Sequence, residues 1–208
     1  MNVILADDHN IVRHGLKQLL DTDPEINVVG EASNGNQVFE LIENHNVDVV
    51  VLDITMPGRN GLETLKDLKR LHPEIPVLML SMHPSDQYAV RVLKAGAAGY
   101  LTKESAPAEL IAAIRKAYRG EKYISPDVAD TLANFIQQGG SDDPHKLLSD
   151  REFEVFCLIG SGKGLTQIAQ KMNLSVKTIS TYRTRIIDKT GLTSNSDITR
   201  YAIERGLG

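Results

Sequence analysis

Carboxylates, a hydroxyl and an amine stand directly after short apolar runs in the N-terminal half of the chain. Grouped carboxylates repel each other and lose solvation, and a divalent cation removes that penalty. One carboxylate as nucleophile, with a lysine and a hydroxyl for phosphate oxygens, suits phosphoryl transfer onto a carboxylate. The residues in question are Asp7, Asp8, Asp53, Ser81 and Lys103.

The apolar runs that precede these residues are predicted to be strands of a parallel sheet. Residues 47–52 are β-branched or apolar apart from Asp48, and the run ends on Asp53, a pattern typical of a strand buried on both faces. Apolar residues at helical spacing, such as Leu62, Leu65 and Leu68, separate the runs. Five such alternations predict an α/β fold with helices on both faces of the sheet.

The strand order decides whether these side chains meet. The common five-stranded order 2-1-3-4-5 makes strands one and three neighbours, and ligands then bind outside the carboxyl ends of the strands. Taken singly, the residues have simpler explanations: Asp8 as a helix cap, Asp53 as a turn residue and Lys103 as a solvated amine. Their common position at strand ends favours one shared pocket.

The composition limits the class of protein. With 208 residues, 41% hydrophobic and 24% charged, the chain fits one large or two small globular domains. No apolar run approaches the roughly 18 residues of a membrane span, and the N-terminus lacks the basic region of a signal peptide. The single cysteine, Cys157, excludes an internal disulfide and is predicted to be a core residue. We expect a cytoplasmic protein with no membrane partner.

Charge is distributed unevenly along the chain. Residues 1–121 carry 12 Lys and Arg against 17 Asp and Glu, whereas residues 147–208 carry 9 against 6. An acidic front and a basic tail suggest two domains, with nucleic acid as a partner of the second. A helix starting near Ser125 and a polar, glycine-rich stretch at 137–144 predict a tether and a flexible linker between them. The predicted linking region is 122–146.

Four short helices are predicted in the second half. Ser149 and Glu152 form a capping-box pattern before the first helix, and Ser175 is a candidate cap for the third. A short helix, a tight turn at 173–175 and a longer polar-faced helix predict a helix-turn-helix. The residues expected to face inward are Val176, Ile179, Ile186 and Ile187 on the third helix, and Ile198, Ala202 and Ile203 on the fourth.

The outer face of the third helix carries hydroxyls and cations in helical register. Such groups can bind phosphates and base edges in a DNA groove, although an ordinary solvated helix face has the same composition. The residues on this face are Lys177, Ser180, Thr181, Thr184 and Arg185.

Separated motifs in residues 2–121 occur in the order found in a known family. The chain here resembles the receiver domain of two-component response regulators, which has a flavodoxin-like five-stranded parallel sheet. The matching motifs are ILADDH at 4–9, LDITMPG at 52–58, Gly61, LS at 80–81, AGA at 95–97, GY at 99–100 and LTK at 101–103.

That resemblance implies a role for each residue. Asp53 is implied to accept a phosphoryl group from a sensor histidine kinase, with Mg²⁺ bound beside it. Lys103 is implied to pair with the phosphate, Ser81 to turn inward and bond it, and Tyr100 to follow by a change of burial. The implied magnesium ligands are Asp7 or Asp8, Asp53 and the backbone carbonyl of Thr55.

Residues 147–208 resemble the LuxR-type helix-turn-helix, a small all-α domain. Together with a receiver, this is similar to the NarL/FixJ type of response regulator. The matching motifs are LSxRExEV at 148–155, Gly162, IA at 168–169, SxKTI at 175–179, Lys189 and GL at 206–207, where x marks a position that carries no match. The implied base-reading positions are Ser180, Thr181 and Thr184, and the implied phosphate contacts are Lys177, Thr178, Arg185 and Lys189. The departures from the usual pattern are Tyr182 for histidine, Gln167 for glutamate, Leu165 for a polar residue and Asn195 for arginine.

The resemblance implies a phosphorylation-controlled transcriptional regulator. Its implied partners are the sensor kinase, double-stranded promoter DNA, a second copy of the chain when phosphorylated, and RNA polymerase. The receiver would assist only its own phosphorylation and dephosphorylation. One alternative is a DNA-binding regulator whose receiver is a scaffold. The other is an aspartate-nucleophile phosphatase, which needs a second acid where this chain has Thr55. The six histidines show no ligand spacing.

Overall fold

The computed structural model describes residues 1–82, 85–137 and 143–207, and the chain forms two compact units, residues 1–134 and 135–208. Most of the predicted glycine-rich linker, 138–142, lies outside the described residues. In the described part of the chain, no helix is long and apolar enough to cross a membrane.

The first unit is built on a five-stranded parallel sheet. The strands run in the order β2-β1-β3-β4-β5, which confirms the predicted order. β3 and β4 are buried along their whole length, as expected for central strands covered on both faces. The strands are β1 (Asn2–Ala6), β2 (Asn27–Ala32), β3 (Val49–Asp53), β4 (Val77–Ser81) and β5 (Gly99–Thr102).

Helices follow the strands and cover the sheet. Apolar residues of α1, α5 and the strands form one buried cluster, centred on side chains such as Leu20, Val51 and Leu110. α6 follows this set and extends past the boundary of the first unit. The helices are α1 (Asn10–Leu20), α2 (Gly35–Asn44), α3 (Gly61–Leu71), α4 (Ser85–Lys94), α5 (Ala106–Tyr118) and α6 (Pro126–Gln137).

Helix starts in this unit show which local signals act. The Asn60 side chain accepts a hydrogen bond from Glu63 N, and the Glu63 carboxylate accepts one from Asn60 N, so a capping box begins α3 beside the end of β3. α1 has His9 at its cap position with no side-chain cap bond. The simpler explanation of Asp8 as the cap of α1 is therefore wrong.

In its described residues from 143 to 207, the second unit has a short 3-10 helix, Pro144–Leu147, and four helices: α7 (Asp150–Gly160), α8 (Leu165–Met172), α9 (Val176–Thr190) and α10 (Asn195–Glu204). The Ser149–Glu152 capping box at the start of α7 and the Ser175 cap of α9 are confirmed. Asn173 adopts the left-handed conformation with φ 53° and ends α8, which makes the turn before α9. Cys157 is buried, as predicted.

Two residues expected to face inward are exposed. Val176 is 44% exposed and Ile203 68% exposed. Each residue of a helix advances by about 100°, so Ile203 lies roughly 140° from Ile198, outside the stripe that packs. Val176 lies roughly 70° from the line through Ile179 and Ile186, which are fully buried.

Candidate functional site

Asp53 is the last residue of β3 and is 1% exposed. Its Oδ1 accepts a hydrogen bond from Thr55 N at 3.3 Å. Gly61 N donates to the Ile54 carbonyl at 2.9 Å and brings the start of α3 against the end of the strand. A Cβ atom at Gly61 would overlap the Asp53 carbonyl oxygen, so only glycine permits this approach.

Lys103 joins the ends of three strands. Its Nζ lies 2.7 Å from Asp7 Oδ2 and 2.8 Å from Asp53 Oδ2, and its side chain is 4% exposed. Its backbone N donates to the Ser81 carbonyl at 2.7 Å, which ties the residue to the end of β4. The predicted strand-end residues therefore do meet, because β1, β3 and β4 are consecutive in the sheet.

Burial governs the protonation of this cluster. Burial raises the pKa of Asp53 to about 7, with a further increase from the Asp7 carboxylate, while the Lys103 ammonium acts in the opposite direction. Burial acts to lower the pKa of Lys103, but the Asp53 and Asp7 carboxylates outweigh it and raise that pKa above its ordinary value. Lys103 therefore stays charged, and Asp53 exchanges protons near neutral pH.

Asp7, Asp8 and His9 follow the end of β1 and lie beside the Asp53–Lys103 pair. His9 N donates to Asp7 Oδ1 at 2.8 Å, and His9 Nδ1 lies 2.8 Å from Asp8 Oδ1. Arg13 Nη1 donates to the Asp7 carbonyl at 2.6 Å, anchoring the loop to α1. The sequence analysis did not place His9 in this cluster, although its position directly after two aspartates was an available signal.

The acidic cluster fits a small, oxygen-seeking cation. Ligand atoms of Asp7, Asp8, His9 and Asp53 all lie within 4.8 Å of one another. Asp7 Oδ2 and Asp8 Oδ1 are buried and make no hydrogen bond, although each contacts a positively charged or protonatable nitrogen. Buried carboxylate oxygens with unused lone pairs are the donors that a hard divalent cation takes.

Ser81 and Tyr100 lie on the neighbouring strands. Ser81 ends β4 at 1% exposure, one residue beyond Leu80, which pairs with Asp53. Tyr100 is fully buried in β5 and pairs with Met79, one strand further from Asp53.

The outer face of α9 is a second candidate site. Lys177, Thr181, Thr184 and Arg185 are exposed, opposite the fully buried Ile186. Thr178 and Ser180, which were predicted with them, are partly buried. A lysine, an arginine and hydroxyls on one face of a helix that follows a tight turn have the arrangement of a DNA recognition helix.

The two parts of the chain match two family models. Residues 3–115 match the response regulator receiver domain, and residues 146–202 match the bacterial regulatory proteins of the luxR family. The chain is a response regulator of the NarL/FixJ type. Response regulators of this type are phosphorylation-dependent transcription regulators, so the expected family, fold class and general function are confirmed.

Known response regulators resemble this one over its whole length. Response regulator UvrY of Escherichia coli strain K12 is 38% identical over 208 residues, covering 100% of this chain and 95% of that protein. The oxygen regulatory protein NreC of Staphylococcus carnosus is 35% identical over 214 residues, covering 100% and 99%.

Solved structures of RcsB have the same fold. RcsB of Salmonella typhimurium, described for its conformational dynamism in DNA interaction, has a TM-score of 0.73 at 29% identity and covers 99% of this chain and 98% of its own. RcsB bound to promoter rprA in the presence of the phosphomimetic BeF3- has a TM-score of 0.67 at 32% identity, with 97% of each chain covered.

Two of the four residues that depart from the usual LuxR-type pattern make hydrogen bonds within the second unit. Gln167 replaces glutamate and accepts a hydrogen bond from Gly164 N at 3.0 Å, completing the start of α8. Asn195 replaces arginine and accepts from Arg183 Nε at 2.5 Å, linking α9 to α10. Leu165 and Tyr182 are partly buried.

Lys189 differs from the other predicted phosphate contacts. Its Nζ donates to Glu152 Oε2 at 2.6 Å, and Glu152 is buried. Burial acts to raise the pKa of Glu152, but hydrogen bonds from Lys189 and Ser149 outweigh it and hold that pKa below its ordinary value. The Lys189 ammonium is thus bound to Glu152, although the lysine side chain remains 41% exposed.

Proposed function

We propose that Asp53 is the phospho-acceptor of this response regulator and that a sensor histidine kinase supplies the phosphoryl group. The observation that carries this is the buried contact of Lys103 Nζ with both Asp7 and Asp53. Lys103 lies at the acceptor carboxylate, so its ammonium can neutralise the negative oxygens of a phosphoryl group bound there. In the transfer, one Asp53 carboxylate oxygen forms a bond to phosphorus, and the bond between phosphorus and the donor atom breaks.

Mg²⁺ is the proposed cofactor, held by Asp7, Asp8, Asp53 and the backbone carbonyl of Thr55. Buried carboxylate oxygens of Asp7 and Asp8 that make no hydrogen bond support this assignment, and the oxygen donor set suits Mg²⁺ better than it suits softer metals. When bound, the cation supplies positive charge against the oxygens of the incoming group. His9 would act by orienting the Asp8 carboxylate, since its Nδ1 already contacts it.

Ser81 and Tyr100 are proposed to transmit the effect of Asp53 phosphorylation to the surface of the first unit. The Ser81 hydroxyl would turn to a phosphate oxygen, which pulls on the end of β4. Tyr100 would then change its burial, because it belongs to β5, the strand paired with β4. The altered surface would favour a homodimer of the phosphorylated chain.

The second unit is proposed to bind double-stranded promoter DNA through α9. Twofold symmetry of a dimer doubles the phosphate and base contacts on paired half-sites. Lys189 is proposed as a secondary contact, because Glu152 holds its ammonium. RNA polymerase is proposed as a further partner at the promoter. The phosphate contacts proposed are Lys177, Thr178 and Arg185, and the base-reading positions proposed are Ser180, Thr181 and Thr184.

A mass measurement tests the acceptor. The full chain is incubated with Mg²⁺ and acetyl phosphate, its intact mass is recorded, and DNA retardation is run on the same samples. We expect one added phosphoryl group and tighter DNA binding for the wild type, and neither for Asp53→Asn. Asp21→Asn, an exposed residue at the end of α1, is the control with the same change of charge.

Two outcomes would contradict the proposal. A phosphoryl group on Asp53→Asn would move the acceptor to another residue. DNA affinity that does not change after treatment with the phosphodonor would indicate that the receiver is only a scaffold, which is the alternative function for this chain.

The receiver is proposed to assist only its own phosphorylation and dephosphorylation. Turnover of an external phosphomonoester would contradict that.

A further inference from the structure

The hydroxyls of Thr181 and Thr184 are directed into their own helix. Thr181 Oγ1 donates to the Lys177 carbonyl at 3.0 Å, and Thr184 Oγ1 donates to the Ser180 carbonyl at 3.1 Å. Both residues are nevertheless exposed. Because the hydroxyl and the methyl group share Cβ, a hydroxyl folded back onto the preceding turn leaves the methyl as the outward group.

Thr181 and Thr184 are neighbours on the outer face of α9. Residues three apart in a helix are neighbours on one face, and Lys177 lies one turn before Thr181 on the same face. The fully buried Ile179 and Ile186 lie on the opposite side. The face proposed to enter the DNA groove therefore presents the methyl groups of two threonines between Lys177 and Arg185.

From this geometry we infer that Thr181 and Thr184 recognise thymine through its 5-methyl group, by apolar contact rather than by hydrogen bonds. The inference rests on the proposed insertion of α9 into the major groove. Thymine is the one base that presents a methyl group there, and a threonine methyl is a suitable contact for it. No long cation at these positions competes for the purine edges.

The competing role for these residues is a hydrogen bond from the hydroxyl to a base edge. That role requires each hydroxyl to leave the carbonyl it now bonds. Two substitutions separate the roles: Thr→Ser keeps the hydroxyl and removes the methyl, and Thr→Val keeps a methyl in that place and removes the hydroxyl.

The test uses the full chain, treated with Mg²⁺ and acetyl phosphate, and duplexes selected from a pool of about 20 random base pairs, enough for two half-sites one turn apart. The preferred duplex is then remade with deoxyuridine replacing one thymine at a time, which removes only the 5-methyl group. We expect particular positions at which this replacement weakens binding about fourfold, the factor for burying one methyl-sized group.

The variants assign those positions to residues. The measured ratio is the affinity for the thymine duplex divided by the affinity for the uracil duplex. Thr181→Ser and Thr184→Ser should each bring this ratio to about 1 at one position per half-site, while Thr181→Val and Thr184→Val should keep it. Thr190→Ser is the matched control, because Thr190 makes the same bond to the Ile186 carbonyl at 2.7 Å near the end of α9. Its ratio at every position should equal that of the wild type.

The failures are distinguishable. Selective binding of a duplex that tolerates uracil at every thymine would overturn the inference and leave the proposed DNA-binding function standing. A ratio kept by serine and lost with valine would assign the reading to the hydroxyl and overturn the inference. No preference for any duplex over a scrambled one would overturn the proposed function and the inference together.

Discussion

Lys103 donates a hydrogen bond from Nζ to Asp53 Oδ2 at 2.8 Å, although the two residues are 50 positions apart in the chain. The bond lies in a buried pocket where Asp7 competes for the same ammonium. A single cation thus serves two carboxylates, and the cluster is short of positive charge. The first two predictions follow from this shortage.

Asp53→Asn should stabilise the metal-free chain at neutral and alkaline pH. Burial raises the pKa of Asp53 from 3.8 to about 7, so the folded state holds a proton that the unfolded chain releases. In the wild type, the stability contributed by that proton is lost as pH rises from 3.8 to about 7. Asparagine cannot ionise, so its advantage should grow over the same window and level off, with a ceiling of about 4 kcal/mol.

Urea unfolding with a chelator present, followed by circular dichroism at several pH values, measures this difference. The exposed Asp21→Asn should show no such pH dependence. A difference between Asp53→Asn and wild type that stays constant with pH would contradict the raised pKa.

Mg²⁺ should raise the thermal midpoint of the wild type. A ligand that binds only the folded state at about 100 times its dissociation constant adds roughly 2.7 kcal/mol. Asp7→Asn and Asp53→Asn should each remove most of that gain, while Asp127→Asn, exposed in α6, should retain it. The gain should also increase with pH near neutrality, because Mg²⁺ competes with the proton on Asp53. An equal midpoint shift in all four proteins would place the cation elsewhere.

Gly61→Ala should destabilise the first unit and slow its phosphorylation. The added Cβ would overlap the Asp53 carbonyl oxygen, so either α3 or the end of β3 must move. We expect a loss of about 2 kcal/mol or more, as for other steric conflicts in a packed core. Gly15→Ala is the matched control, since a Cβ there meets nothing within 4 Å and alanine favours helix. Denaturant unfolding compares the two, and a harmless Gly61→Ala would refute the close approach.

Lys189→Ala should destabilise the second unit by about 1–2 kcal/mol near neutral pH, because it leaves the buried Glu152 carboxylate without its cation. The pKa of Glu152 lies below its ordinary value of 4.5. The stabilisation is therefore present above that value and fades as pH falls through the lowered pKa. Arg200→Ala removes an exposed pair with Asp197 and should change stability by less than about 0.5 kcal/mol. Thermal melts at neutral and acidic pH would detect the difference, and an equal effect of both variants would argue against a stabilising Lys189–Glu152 pair.

Lys177→Ala should weaken binding to every duplex alike and reduce the dependence of binding on salt. One lost phosphate contact lowers the slope of log affinity against log salt by about 1. Fluorescence anisotropy over a salt series measures the slope. Arg119→Ala, an exposed cation just after α5, should leave the slope unchanged. A change in sequence preference with no change in slope would make Lys177 a base contact.

The amino-acid sequence by itself determined the alternation of strands and helices, the family and the starts of α7 and α9. Those properties come from short-range patterns: apolar runs at strand spacing, capping boxes within four residues, and motifs in a set order. Ser149 and Glu152 could be paired from their spacing because both bonds form inside one helical turn. The meeting of the strand-end residues also followed, once the parallel order was assumed.

The tertiary structure alone decided which side chains from distant parts of the chain become partners. Lys189 was expected to face phosphate, yet it bonds Glu152, 37 residues earlier. His9 joined the carboxylates although its spacing to the other histidines suggested no site. Each outcome depends on the summed packing of segments distant in the chain, and neither local propensity nor spacing contains that sum.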